Sequence, residues 1–170
     1  LYICTHNRCR SILCEAISNA AGAGAIEARS AGSQPSGEVH PLSLRYLDEL
    51  GIATTELRSQ SWDEHRNFAP DLVITVCDSA AGEACPLWLG SAQKVHWGLA
   101  DPSKLTGSDS EIAAGFHACI AEIQRRTAAL LALNLGALPA DERLTALRTL
   151  GARSAHTKLL LPFGVLHGII

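Results

Sequence analysis

With 170 residues, 47% of them hydrophobic and 18% charged, the chain is long enough to bury one sizeable core and too apolar for disorder over most of its length. A net charge of −3 excludes general nucleic-acid binding, which needs a basic face. No window reaches the roughly 18 apolar residues that span a bilayer, and residues 159–170, the nearest approach, are interrupted by Pro162, Gly164, His167 and Gly168.

The chain opens on Leu1, Tyr2 and Ile3, which suit a strand. Ile12, Leu13, Ala16, Ile17 and Ala20 then recur on one face of a helix. Between them runs Cys4-Thr5-His6-Asn7-Arg8-Cys9-Arg10-Ser11, a cysteine and an arginine separated by five residues and followed by a hydroxyl. Amides of a loop that enters a helix point at an oxyanion, and the positive end of the helix dipole adds to the attraction. Arg10 supplies a planar fork for two oxygens of a tetrahedral anion. Cys4 lies at the floor of this cradle, where the same field favours its thiolate; such cysteines titrate at roughly 3.5 to 7.5 instead of about 8.5. Ser11 is expected to hydrogen-bond the sulfur, and Asn7 to tolerate an unusual backbone angle and brace the loop. Arg8 adds local positive charge. The competing reading, a buried thiol near a surface arginine, is outweighed by the strand and helix on either side.

A second strand is predicted over residues 26–30, ending at Ala31-Gly32. A Gly/Ser/Pro loop follows. Leu44, Leu47 and Leu50 give a short helix over residues 41–50, closed by Gly51. Ser61 and Glu64 form a capping box for another brief helix. Residues 71–76 contain Leu72, Val73, Ile74 and Val76, a run suited to a buried parallel strand, with Cys77 at its C-terminal end. A short strand over 94–97 and a polar loop over 98–108 lead into a long helix over 110–135, with Ile112, Phe116, Ile120, Ile123, Thr127 and Leu130 on one face. Leu144, Leu147 and Leu150 predict a last helix over 139–150, with Asp141 and Glu142 in its favourable first turn. Strands alternating with helices predict a single α/β domain, a central four-stranded parallel sheet flanked by helices, over residues 1–151. Ligands gather at the C-terminal ends of such strands, so Cys4 and Cys77 are expected to face one crevice. Residues 152–170 form a tail with no assigned role.

Six cysteines are present, and no basic-then-apolar signal segment opens the sequence. A reducing, cytoplasmic setting is therefore expected, in which paired cysteines are catalytic or metal-binding. Cys77 and Cys85 flank the small, polar run Asp78-Ser79-Ala80-Ala81-Gly82-Glu83-Ala84, read as a loop that can move. Two cysteines on such a tether can bond if their α-carbons approach within about 7 Å, which suggests a shuttle carrying oxidation from the loop to the surface. A zinc site is the rival, but close two-residue cysteine pairs are missing; simple buried thiols are the other alternative. Cys14 and Cys119 fall within helical patterns and read as core. Asp101, before Pro102, offers a carboxylic acid to protonate a leaving oxygen, although an aspartate there is also an ordinary turn former.

The run Cys4 to Ser11, Ser30-Ala31-Gly32, Val73-Ile74-Thr75-Val76-Cys77, Cys85-Pro86, His96-Trp97-Gly98 and Asp101-Pro102 occur in an order that resembles the arsenate reductases built on the low-molecular-weight tyrosine phosphatase fold. The resemblance covers about residues 1–150. It implies Cys4 as the nucleophile on arsenate, Arg10 and the loop from Thr5 through His6, Asn7, Arg8 and Cys9 to Ser11 as the oxyanion clamp, and Asp101 as general acid. It also implies a cascade in which Cys77 attacks Cys4 and releases arsenite, after which Cys85 attacks Cys77 and passes the disulfide to thioredoxin, or to glutathione with glutaredoxin. No metal or organic cofactor is consumed at the site. Some members of the family hold a potassium ion, for which Asn7, Glu15 and Ser30 match while residues 58–61 lack the acid; Arg8 replaces a small residue common at its position. The alternative within the same fold is a tyrosine phosphatase, in which Cys77 and Cys85 are superfluous and a tyrosine usually follows the Asp-Pro pair, where this chain has Ser103 and Lys104. A non-enzymatic oxyanion-sensing protein is the third reading.

Overall fold

The computed structural model describes residues 1–152, so all but the first residue of the predicted tail lies outside the described residues. Four strands, β1 (Tyr2–Ile3), β2 (Ser30–Ala31), β3 (Leu72–Thr75) and β4 (Gln93–His96), form one parallel sheet in the order β2-β1-β3-β4. The expected α/β architecture is present. After β1 the chain winds to one side, and after β2 it crosses to the other. That reversal opens a crevice beyond the C-terminal ends of β1 and β3. Register places Ile3 opposite Ala31 on one side and Thr75 on the other, so the residues following β1 and β3 emerge side by side.

Helices α1 (Arg10–Ala21), α2 (Pro41–Glu49), α4 (Asp109–Ala132) and α5 (Ala140–Ala152) cover the sheet, with a one-turn helix, α3 (Asp78–Ala81), after β3. The face predicted for α4 is the face it buries, with Phe116, Cys119, Ile120, Ile123 and Thr127 in the core. Its start is fixed by Ser108, whose hydroxyl accepts from Glu111 N at 3.2 Å, and by Asp109 and Glu111 at the positive end of the dipole. Opposite it, α1 contributes Ile12, Leu13 and Ile17, all but inaccessible to solvent. Helix α5 closes the edge at β4: Trp97 Nε1 donates to Leu147 O at 2.9 Å, and a Cβ at Gly151 would collide with the Trp97 ring. No helix among the described residues is long and apolar enough to cross a membrane.

Three local expectations change. The second strand, predicted over 26–30, is only Ser30–Ala31. Asn19 explains the loss, because its side chain takes both the amide of Ala28 (2.8 Å) and its carbonyl (2.9 Å), the groups a longer strand would pair with a neighbour. The segment after Cys77, read as a pliant loop, begins as α3, with 3-10 turns at Leu87–Leu89 and, further on, at Pro102–Lys104. The apolar face of α4 also carries a buried charge, Arg126, which periodicity does not anticipate.

Phe116 has no exposed surface and stacks on Tyr46 at 5.2 Å between ring centroids. Phe116→Ala is expected to lower unfolding stability by about 3–5 kcal/mol through the cavity it leaves, read from the urea midpoint at unchanged m-value.

Candidate active site

The segment between β1 and α1 is a loop held from outside. The Thr5 carbonyl accepts from Gln34 N (2.9 Å), the His6 carbonyl from Ser36 N (3.0 Å) and Ser59 Oγ (3.1 Å), and the Arg8 carbonyl from His40 N (2.9 Å). In a trans peptide the N–H points away from the C=O, so the amides of His6 and Cys9 turn to the inner side. Helix α1 begins there with no side-chain cap on its amides and no acidic residue in its first turn. Uncapped first-turn amides and the dipole's positive end make that inner side an anion cradle. Gly32 lies directly beneath: a Cβ there would press on the carbonyls of Thr5 and Cys4 and, at 3.1 Å, on the amide of Asn7.

Asn7 sets the turn. Its φ of 44° is left-handed, a conformation that asparagine tolerates better than most residues. The side chain is fully buried; Nδ2 donates to Ser11 Oγ and Ser30 Oγ, each at 2.9 Å, and Oδ1 accepts from Gln60 N at 2.8 Å. Ser11, expected beside the Cys4 sulfur, therefore has its hydroxyl bonded to Asn7. Ser30 in turn donates to Glu15 Oε2 at 3.0 Å, and burial raises Glu15 to about 7.

Cys4 and Cys77, both buried, lie close enough that the ionisation of each depends on the other. Cys77 Sγ accepts from Thr5 N and Ala80 N, each at 3.4 Å, and contacts Thr5 Oγ1 at 3.6 Å. The adjacent Cys4 thiol and these further donors lower Cys77 to about 5. Cys4 moves upward, because Cys77 lies beside it and because it is buried, against the pull of Arg10. The two thiols titrate as a coupled pair. Burial raises Cys9 to about 11, although Ser43 Oγ donates to its sulfur at 3.3 Å.

Arg10 lies at the mouth of the cradle, where Nη2 meets Asp101 Oδ2 at 3.1 Å and Nη1 donates to Leu99 O at 2.9 Å. Asp101 Oδ1 accepts from Ser103 N (3.0 Å) and Ser103 Oγ (2.6 Å), capping the turn that follows. The loop carrying Asp101 is anchored by Arg126, which donates to Trp97 O (2.9 Å) and Gly98 O (3.0 Å) while paired with Glu122 at 2.7 Å. A cavity of about 910 Å³ opens beside it, walled by Leu99, Asp101, Pro102, Cys119 and Arg126.

Of the residues expected from sequence, Cys4, Cys77, Arg10 and Asp101 come together with the loop. His6 is exposed, its Nδ1 against Gln34 O at 3.0 Å, and Arg8 is half-buried. Cys85 stands apart, half-buried beside a cavity of about 490 Å³. All six cysteines are free thiols, and Cys14 and Cys119 are buried as expected. Arg126 was missed, as was Glu83, which accepts from Thr5 Oγ1 at 3.0 Å. A charge at a core position of the α4 periodicity was the one available signal for Arg126; nothing local marked Glu83.

Residues 1–143 match the low molecular weight phosphotyrosine protein phosphatase family. An arsenate reductase of Halalkalibacterium halodurans is 34% identical over 125 residues, 74% of this chain and 88% of the relative. Among solved structures, an arsenate reductase from Archaeoglobus fulgidus is 26% identical with a TM-score of 0.64, covering 78% of this chain and 98% of that one. A thioredoxin-dependent arsenate reductase from Corynebacterium glutamicum is 28% identical with a TM-score of 0.55, covering 78% and 61%. An anion cradle at the switch point of the sheet, floored by a cysteine and matched along most of its length by these relatives, places the chain in the low molecular weight phosphotyrosine protein phosphatase family, among its arsenate reductases.

Proposed function

We propose that this protein reduces arsenate to arsenite through Cys4, Cys77 and Cys85, with thioredoxin, or glutathione with glutaredoxin, restoring the thiols. The observation that carries this reading is the buried Cys4 and Cys77 pair, brought together at the floor of the cradle by the pairing of Ile3 with Thr75. Hydrolysis of a cysteinyl phosphate needs water there. A second thiol in that position attacks the sulfur of a Cys4 adduct instead. The arsenate reductases among the relatives, one of them thioredoxin-dependent, support the same substrate and reductant.

In the proposed sequence the oxyanion settles on the first-turn amides of α1, and Arg10 exchanges Asp101 and Leu99 for two of its oxygens. The Cys4 proton passes to Cys77, and the Cys4 thiolate attacks arsenic while Asp101 in its acid form protonates the departing oxygen, which leaves as water. Cys77 then attacks the Cys4 sulfur. A sulfur–sulfur bond forms, the sulfur–arsenic bond breaks, and its electron pair stays on arsenic, reducing arsenate to arsenite as the Cys77 proton passes to an arsenite oxygen. Cys85 attacks Cys77, expelling Cys4 as a thiolate, and the reductant's dithiol supplies two electrons to open the Cys77 to Cys85 bond. Cys77 Sγ is also the cap of α3, accepting from Ala80 N at 3.4 Å. An uncharged disulfide sulfur is a weaker acceptor than a thiolate, so the first disulfide loosens α3 and lets Cys85 approach. A reducing cytoplasm suits this use of free thiols.

The potassium expectation falls on Asn7, Glu15 and Ser30, which are joined by hydrogen bonds. Ser30 donates to Glu15 Oε2 and accepts from Asn7, Asn7 Oδ1 holds Gln60 N, and residues 58–61 bring no carboxylate. Their oxygens keep lone pairs beyond these bonds, so the three would hold the ion, and no step is routed through it. Phosphatase activity is the second reading, because the cradle and Asp101 alone suit phosphate monoesters and the family match includes phosphatases.

Purified protein given arsenate and a thioredoxin system is expected to consume reductant in proportion to arsenite formed; hydrolysis of an aryl phosphate without arsenate turnover would replace this reading with the phosphatase. Cys85→Ser is expected to complete one turnover and stop with Cys4 bonded to Cys77, detected by peptide mapping, and sustained turnover would remove Cys85 from the mechanism. Because Cys77 is lowered from 9.0 to about 5, its ionised form is favoured in the folded protein, present above about pH 5 and lost as pH falls through it. Ultraviolet thiolate absorbance is therefore expected to fall with a midpoint near 5, and Cys77→Ser to abolish that step.

A further inference from the structure

Glu83 lies between the two later cysteines and has no part in the chemistry above. The hydroxyl of Thr5, the residue after the nucleophile, donates to Glu83 Oε1 at 3.0 Å. The same hydroxyl is 3.6 Å from Cys77 Sγ, to which the Thr5 amide donates at 3.4 Å. Glu83 Oε2 is buried with no hydrogen-bond partner among the described residues. Buried carboxylate oxygens are ordinarily satisfied, so the bond from Thr5 holds this side chain inward against its own preference for water. Glu83 and Cys85 line one cavity, walled also by Lys94, His96 and Arg148.

A hydroxyl carries one hydrogen. Given to Glu83, it is withheld from Cys77, which leaves that sulfur the stronger nucleophile. The same bond ties the middle of the segment to the oxyanion loop. For Cys85 to reach Cys77 their α-carbons must come within about 7 Å, and the segment has to rearrange to allow it. Among the described residues its other side-chain ties are the α3 cap, which the first disulfide weakens, and the contact of Asp78 with His96 at 3.2 Å, where the Asp78 side chain is fully exposed. Exposed pairs of that kind contribute little.

We propose that Glu83 is a positioning residue that latches the segment between Cys77 and Cys85 onto the oxyanion loop through Thr5, favouring attack of Cys77 on Cys4 and delaying the handover of the disulfide to Cys85. The inference rests on the reductase reading above. In the handover the Cys85 thiolate bonds to Cys77, the Cys4 to Cys77 bond breaks, and Cys4 leaves as a thiolate, with no outside oxidant. Opening the latch exposes both Glu83 oxygens to water.

The test mixes the full chain with arsenate in the absence of reductant, quenches with an alkylating agent over time, and follows the two disulfides by peptide mass spectrometry. Glu83→Gln is expected to slow formation of the Cys4 to Cys77 bond and to speed its conversion to Cys77 to Cys85, each by about tenfold, as for exchange of a charge-assisted hydrogen bond for a neutral one. Thr5→Val is expected to repeat both effects, and Asp78→Asn to change neither. A merely structural role slows both steps together, so slowing of both by Glu83→Gln overturns the latch. Unchanged rates in Glu83→Gln, or equal effects from Asp78→Asn, overturn it as well. If the unaltered protein forms no Cys4 to Cys77 disulfide with arsenate, the reductase reading and the latch fall together, whereas the other negative results remove the latch alone.

Discussion

The juxtaposition of two buried sulfurs, Cys4 and Cys77, is the constraint on which the rest of the site depends. Cys4 follows β1 and Cys77 comes just beyond β3, and the parallel pairing of Ile3 with Thr75 brings the two strand ends together. Two like charges so close disfavour each other, so the two thiols titrate as a pair. The donors around each sulfur bias that pair. Cys77 has the amides of Thr5 and Ala80, whereas Cys4 has the field of an Arg10 that is itself engaged with Asp101. An anion that draws Arg10 away from Asp101 changes that balance.

The loop around this pair is strained and braced. A non-glycine residue in the left-handed region carries a strain on the order of 1–3 kcal/mol, and Asn7 offsets it with two buried hydrogen bonds reaching α1 and β2 and a partly buried one from the segment at Gln60. Gly32 leaves room for the loop's backbone, and the carbonyls turned toward residues 34–40 keep the inner amides aimed at one point. Arg126 does the corresponding work for the opposite wall, gripping two successive carbonyls just ahead of the loop that bears Asp101. Arg8, the loop residue that departs from the usual pattern, leaves its charge on Cys9 and His40, opposing the rise of the first and adding to the lowering of the second.

A cradle of this kind with an acid opposite suits the hydrolysis of phosphate esters. In the proposed reaction the Cys77 thiol takes the place of the water that a hydrolase uses. The same thiol caps the short helix α3. One hydrogen bond from Ala80 thereby serves both to lower Cys77 and to cap that helix.

Much of this was legible in the amino-acid order because it is local. Apolar residues at Leu1 to Ile3, helical spacing from Ile12 onward and the glycine, serine and asparagine of the intervening turns specify strand, anion loop and helix from near neighbours alone. The β-branched run before Cys77 likewise announces a buried parallel strand. Asn19 shortening β2, Thr5 reaching Glu83, and Arg126 holding the carbonyls of Trp97 and Gly98 were not legible, since each joins groups whose partners lie elsewhere in the chain. The sequence by itself determined the α/β class and the strand, loop and helix around Cys4 to Ser11. Only the tertiary structure decided which donors surround each sulfur, because strand pairing brings them from distant parts of the chain, and chain order does not list them.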